Sequence, residues 1–356
     1  MNEPIQRIRD DVRAMHAYVV QSAGDMVKLD AMENPYTLSA ELQAKLGERL
    51  GRLALNRYPD GRVNDLRAAL AAHAGMPEGF EIMLGNGSDE LISLLALACA
   101  KPGASVLAPV PGFVMYAMSA QLQGLAFHGV PLTADFELDT PAMLAAIAHH
   151  RPAIVYLAYP NNPTANLWNV ESMLAIIEAT AQAGGLVVVD EAYQPFASDS
   201  FMHRISGYKH VLLMRTLSKF GLAGVRLGYM VGPQALMNEI DKVRPPYNIS
   251  VLDYECALFA LEHAATFEAQ AQAIKEQRAM LLEALPQLGV QVFPSQANML
   301  LIRVKDADAS FEKLKKQGVL IKNVSKMHPL LSQCLRLTVG TPEENQRLLL
   351  ALKEAL

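Results

Sequence analysis

Cysteine is scarce in this chain: Cys99, Cys256 and Cys334 are the three among 356 residues, odd in number and far apart. Such spacing excludes a disulfide framework and a cysteine-built metal cluster, and it points to a reducing compartment, the cytoplasm. Long apolar runs are lacking as well. The longest, Leu91 to Ala100, has about half of the roughly 20 residues that a membrane span requires, so it reads as a core helix. The segment MNEPIQRIRDDVR is charged where an export signal would be apolar, and no such signal is expected. There is no basic excess: 31 Lys and Arg stand against 36 Asp and Glu, a net charge of −5. No field for nucleic acid follows, and an anionic small molecule must be met by a local cationic pocket. No GxxxxGK[ST] sequence, internal repeat or low-complexity linker occurs.

What is present is a long alternation of helical and β-rich text. At 356 residues, with 51% apolar residues, the chain exceeds the usual single domain and suits two domains of an α/β protein. Ile5, Ile8, Val12, Met15 and Val19 recur at three- and four-residue intervals, which predicts an amphipathic helix over 5–18, an arm with one sticky face that packs on a partner subunit. From about residue 60 to 232, strand-like runs (IMLG, SVLAPV, AIVYLAY, GLVVVD, HVLLMR and LGYMVG) alternate with helical periodicity. The pattern predicts a mostly parallel sheet with crossover helices, its central strands covered on both faces. After Pro245-Pro246 we expect one long helix over 252–284, then strands near VQVF, NMLLIRV and CLRLTV with a helix at FEKLKKQG. The expected boundaries are an arm over 1–30, part of a small domain over 31–50, a large domain over 51–248 and a small α+β domain over 249–356.

In such a sheet, functional loops lie at the carboxyl ends of the strands. Lys219, in TLSK, follows one strand and precedes a glycine-containing stretch that ends at Arg226. It is either a Schiff-base former, which needs a depressed pKa, or a phosphate clamp. Asp190 ends an apolar strand and suits a pyridinium nitrogen, although alone it serves equally as a helix cap or a magnesium ligand. Tyr193 and Asn162 are placed to meet a phenolic oxygen, while YPNNPT is also an ordinary turn. GNGSDE offers Ser88 and Asp89 at a helix start that favours a dianion, or else a plain helix cap; Ser218 and Arg226 would complete a phosphate cradle. Phe113 is a ring-stacking candidate or a core aromatic. Arg336, in an apolar strand, is a buried ion-pair member or a handle for a substrate anion. Together these segments read as a site for pyridoxal 5'-phosphate.

The ordered set GSDE, YPNNPT, VVVDEAY, TLSK and RLGY at 226, followed by CLRLTVGTPEEN, resembles the fold type I pyridoxal-phosphate-dependent aminotransferases, class II subgroup. The resemblance runs from MENPY at 32 through RYPDG at 57 to the carboxyl-terminal segment. It implies an α/β large domain with a mixed, mostly parallel sheet and a smaller α+β domain. By it, Lys219 is the covalent lysine and proton carrier, Asp190 the ring-nitrogen partner, and Asn162 and Tyr193 the partners of the 3'-oxygen. Ser88, Asp89 (through its backbone), Ser218 and Arg226 fall at phosphate positions, and Phe113 at the stacking position. Tyr58 matches a tyrosine lent to the neighbouring subunit's phosphate, which implies a homodimer with shared sites.

The implied reaction transfers the amino group of L-histidinol phosphate to 2-oxoglutarate, in histidine biosynthesis. Arg336 would serve substrate phosphate and carboxylate in turn, and Asn34 would border the imidazole. An aromatic amino-acid aminotransferase and a threonine-phosphate decarboxylase share this residue set, and a non-catalytic binding module would have no use for Lys219, Asp190 and Arg226 together. Three departures stand out. Ala165 replaces a turn glycine, a change that is harmless only if its φ stays negative. One residue fewer separates Lys219 from Arg226 than in many relatives. Lys322 stands where many relatives carry a second substrate-phosphate arginine.

Overall fold

The computed structural model describes residues 4–15, 17, 21–59 and 63–356. Its largest sheet has seven strands: β1 (Phe80–Gly85), β2 (Ser105–Val110), β3 (Ala126–Pro131), β4 (Ile154–Ala158), β5 (Leu186–Asp190), β6 (Val211–Thr216) and β7 (Gly228–Pro233), in spatial order β1-β7-β6-β5-β4-β2-β3. Strands β6 through β3 are parallel neighbours, and β7 runs antiparallel between β1 and β6. The mostly parallel sheet expected from the alternation is therefore present. Six of its strands lie on the six strand-like runs. The edge strand β3 (AFHGVP) escaped notice because it pairs on one side only and its side chains are mostly half-buried or exposed, so no apolar run marks it.

Both faces of the sheet are covered. Val187 and Val189 of β5 pack into one apolar layer with Leu157 and Leu213, while Val188 points into the opposite layer with Tyr156, Leu212 and Met214. This alternation within a continuous apolar run is what a central parallel strand requires. A second sheet comprises β8 (Gln291–Val292), β9 (Met299–Arg303), β10 (Lys322–Asn323) and β11 (Cys334–Thr338), antiparallel in the order β10-β11-β9-β8. Met299, Leu300, Leu335 and Leu337 build its core with Ile274 and Leu281 of the helix Ala264–Ala284. The segment Val27–Lys28 also joins here, pairing in parallel with Val319–Leu320.

Two expected helices differ. The span 252–284 is two helices, Val251–Glu262 and Ala264–Ala284, broken at His263. The first buries Tyr254, Ala257 and Leu258 against the large sheet's core, whereas the second sends Ala271, Ile274 and Leu281 into the other core, so one straight rod cannot satisfy both. The amino-terminal helix is likewise two short turns, Pro4–Arg7 and Asp10–Arg13; Ile5 in the first and Ile8 between them are exposed, and Val19 lies outside the described residues. Arg9 ties this segment to the helix Val114–Leu122 by donating to the Leu122 carbonyl at 2.7 Å.

Phe267, on the helix whose later residues enter the second core, packs into the core of the large sheet and stacks on Phe220, next to Lys219, with ring centroids 5.0 Å apart. Phe267→Ala is expected to destabilise the protein by about 3 to 5 kcal/mol. A lowered urea midpoint, followed by circular dichroism, checks this.

Candidate active site

The carboxyl ends of β2, β4, β5 and β6 and the start of the helix Ser88–Cys99 enclose a cavity of about 360 Å³. Lys219, Asp190, Tyr193, Asn162 and Phe113 all line it. So do Ser88, Asp89, Ser218 and Arg226. Residues more than a hundred positions apart meet because parallel strands deliver their following loops to one edge of the sheet.

Asp190 is the last residue of β5 and is buried. Its Oδ2 accepts from the Tyr116 hydroxyl at 2.6 Å and its Oδ1 from the Ala192 amide at 3.0 Å. Burial pushes its pKa up to about 6, and the bonds from Tyr116 and Ala192 oppose that rise. Lys219 shows the converse. Burial, with the positive fields of Arg336 and Arg226, lowers its pKa to about 8, while Glu33 works the other way. Its amine donates to the Ala31 carbonyl at 3.1 Å and sits 5.9 Å from the Tyr193 ring centroid. A neutral, nucleophilic amine is therefore accessible near neutral pH.

An anion cradle faces them. Among the described residues no side chain caps the helix Ser88–Cys99; its N-cap is Gly87, at φ 80°. A Cβ on Gly87 would lie 2.8 Å from Nη2 of Arg226, and one on Gly228 would lie 2.7 Å from the Ser88 amide. The two glycines thus let the guanidinium and β7 close on free helix N–H groups, an arrangement suited to a phosphate dianion. Arg226 reaches Ser218 Oγ at 3.4 Å and the Asp89 carboxylate at 3.5 Å. The segment after Lys219 delivers this arginine by a π-helical turn over Ser218–Leu222 and a left-handed Arg226 at φ 59°.

On the opposite side Asn162 links two groups. Its Nδ2 donates to the Tyr193 hydroxyl at 3.0 Å, and its Oδ1 accepts from Arg336 Nη1 at 2.7 Å. Arg336, on β11 and 8% exposed, also donates to the Asp30 carbonyl at 2.8 Å. The second sheet is thereby tied to Asn162 at the cavity wall. Ala165 does not keep a negative φ: it is fully buried at φ 65°, with its amide on the Asn161 carbonyl and its own carbonyl accepting from Gln296. Those two bonds offset a left-handed conformation that costs a non-glycine residue roughly 1 to 2 kcal/mol.

Four expected residues are not among those that line the cavity; Arg336 meets it only through its bond to Asn162. Asn34 spends its amide on Gln270, at 2.9 Å, and on the Phe220 carbonyl, while its neighbour Glu33 is the one that lines the cavity. Lys322 pairs across strands with Arg336 but does not line the cavity. Tyr58 is 77% exposed and stacks on Tyr247 at 4.7 Å in a separate groove with Leu55 and Leu252. Sequence reading gave no role to Tyr116, Thr216 or the Ala31 carbonyl. For Tyr116 a signal existed: it lies three residues after Phe113 at the start of a helix, and therefore on the same side.

The family described as aminotransferase class I and II matches residues 24–352. A histidinol-phosphate aminotransferase of Polaromonas naphthalenivorans (strain CJ2) is 71% identical over 350 residues, 98% of this chain and 96% of its own. That of Methylibium petroleiphilum is 65% identical over 98% of this chain and 94% of its own. Among solved structures, the fold matches histidinol-phosphate aminotransferase from Sinorhizobium meliloti in complex with pyridoxal-5'-phosphate (TM-score 0.87, 24% identity, 98% of this chain and 97% of the other). It also matches L-threonine-O-3-phosphate decarboxylase from Porphyromonas gingivalis (TM-score 0.78, 24% identity, 92% and 99%).

The depressed pKa of Lys219 predicts a pH-dependent stability. Below pH 8 the amine is charged both folded and unfolded, and its burial destabilises the fold by up to roughly 3 kcal/mol. As pH rises from 8 toward the ordinary 10.5, the folded protein already holds the neutral amine, so the penalty disappears. Lys219→Met, prepared without added cofactor, is expected to exceed the parent in urea midpoint at pH 7 and to match it near pH 10.5.

Proposed function

We infer that this chain, which belongs to the class I and II aminotransferases, transfers the amino group of L-histidinol phosphate to 2-oxoglutarate with pyridoxal 5'-phosphate as cofactor. The products are imidazole-acetol phosphate and glutamate, in histidine biosynthesis. The observation that carries the reading is a desolvated Lys219 sharing one cavity with a buried carboxylate and an uncapped, arginine-closed helix start. Relatives at 65–71% identity across nearly the whole chain narrow the substrate, which the fold alone leaves open because the decarboxylase shares it.

The residues fit the cofactor. The helix start with Ser218 and Arg226 would hold its phosphate, the space for which a side chain on Gly87 would intrude upon. Asp190 would face the ring nitrogen and keep it protonated, Asn162 and Tyr193 the phenolic oxygen, and Phe113 a ring face. When bound, pyridoxal phosphate supplies an aldehyde that condenses with amines and a ring that accepts the electron pair released at Cα.

Lys219 Nζ, freed as a neutral amine, takes the Cα proton of the amino donor and returns it later in the transfer; a pKa of about 8 suits both duties. Arg336 binds the donor's phosphate in one half-reaction and the acceptor's carboxylate in the other, since both anions accept paired N–H bonds from a guanidinium. Its bond to Asn162 ties substrate anchoring to the oxygen end of the ring. Lys322 adds charge beside it, and Asn34 holds the segment bearing Glu33. The groove of Leu55, Tyr58, Tyr247 and Leu252 is the face for a second copy, whose site Tyr58 would complete. The chain would thus act as a homodimer, and its three free cysteines suit the cytoplasm.

A visible absorption titration of the holoenzyme with L-histidinol phosphate, with no keto acid present, is expected to convert the lysine-bound cofactor band into the pyridoxamine form without release of carbon dioxide. A band indifferent to the ligand would move the substrate elsewhere, and carbon dioxide would make the protein a decarboxylase. Lys219→Ala is expected to lower kcat by a factor on the order of 10⁴, with an unchanged circular dichroism spectrum. Wild-type turnover in that variant would overturn the mechanism. Sedimentation equilibrium is expected to give twice the chain mass, and Tyr58→Phe to weaken cofactor retention.

A further inference from the structure

Tyr116 carries no role in the motif reading, yet it stands at a junction of the cavity. It lies in the helix Val114–Leu122, 3% exposed, and its hydroxyl meets Asp190 at 2.6 Å. Its ring lies flat on Tyr156, with centroids 4.2 Å apart and planes 7° from parallel, and stands edge-on to Phe113 at 5.7 Å and 86°. The ring is therefore fixed on two sides. We propose that Tyr116 is a positioning residue that holds the Asp190 carboxylate in one orientation and in its ionised form, so that it pairs with a protonated ring nitrogen. The inference rests on the reading of Asp190 as the ring-nitrogen partner.

The chemistry of the pair permits one sense only. Burial raises the Tyr116 phenol well above its ordinary pKa, so the hydroxyl keeps its proton and donates it to the carboxylate. With the Ala192 amide on the other oxygen, each carboxylate oxygen is held by one donor and keeps a lone pair for the cavity. The remaining titratable groups that act on Asp190 are unhelpful. Asp89 and Glu191 disfavour its ionised form, and the phenols of Tyr156 and Tyr193 make no hydrogen bond to it among the described residues. Lys219 lines the same cavity but directs its amine to the Ala31 carbonyl. Tyr116 is thus the one side chain among the described residues whose hydrogen bond favours the charge that Asp190 must carry.

The test is Tyr116→Phe, which removes one oxygen and keeps both ring contacts. In the cofactor-free protein labelled with [4-¹³C]aspartate, the Asp190 resonance, assigned by its loss in Asp190→Asn, is expected to titrate about one pH unit higher than in the parent. The holoprotein is expected to lose cofactor affinity about tenfold and kcat about tenfold or more, with KM for 2-oxoglutarate unchanged. Replacing Tyr116 by 3-fluorotyrosine, a stronger donor of nearly the same shape, is expected to move the Asp190 titration down, which a merely packing role would not do. An Asp190 titration and cofactor affinity unchanged in Tyr116→Phe would overturn the inference while leaving the aminotransferase reading intact. Asp190→Asn with parental cofactor affinity and turnover would instead remove the reading on which it rests.

Discussion

A desolvated amine and a buried carboxylate share one cavity here without forming an ion pair, and the site depends on that separation. Were Lys219 paired with Asp190, the lysine pKa would rise and its neutral, nucleophilic form would vanish near neutral pH. The fold prevents this by giving each charge other partners. The Asp190 oxygens are taken by the Tyr116 hydroxyl and the Ala192 amide, and the Lys219 amine meets a neutral carbonyl at Ala31 while Arg336 and Arg226 press its proton off. Two opposite desolvation effects, one raising an acid and one lowering a base, then become chemically useful in the same space.

Backbone carries as much of this arrangement as side chains do. Gly87 and Gly228 matter for what they lack, since a methyl group at either would strike the arginine or the helix start. Arg226 accepts a left-handed conformation to aim its guanidinium at that opening. Such local strain costs roughly 1 to 3 kcal/mol and persists because the surrounding strands hold it. Glu191, beside Asp190 in the chain, is turned away into a buried ion pair with Arg215 at 2.9 Å, which ties β5 to β6 just below the cavity.

The second sheet enters through a few polar contacts. Arg336 bonds to Asn162 and to the Asp30 carbonyl, and Thr338 Oγ1 accepts from the Met32 amide. The stretch from Asp30 to Glu33 therefore lies between the two sheets and supplies the carbonyl that receives the lysine. In the function proposed above, substrate choice would fall to this boundary. The cofactor end of the cavity is common chemistry for transamination and decarboxylation, and the fold match to a decarboxylase shows that architecture does not separate them. Sequence relatives at high identity are what bring the phosphorylated imidazole donor forward.

Strand ends, helix starts and turns are local, so the sequence by itself determined them. Apolar runs located six of the seven strands, and the residues placed just beyond them, Phe113, Asn162, Asp190 and Lys219, are those that line the cavity. Edge strand β3 and the break at His263 were not legible, because one depends on having a single neighbour and the other on two cores lying in different directions. Only the tertiary structure decided that Tyr116 meets Asp190, that Asn34 serves Gln270 rather than the cavity, and that Ala165 turns left-handed. Each of these rests on a contact between segments remote in sequence or on a backbone angle that long-range bonds enforce, and neither leaves a mark in residue spacing.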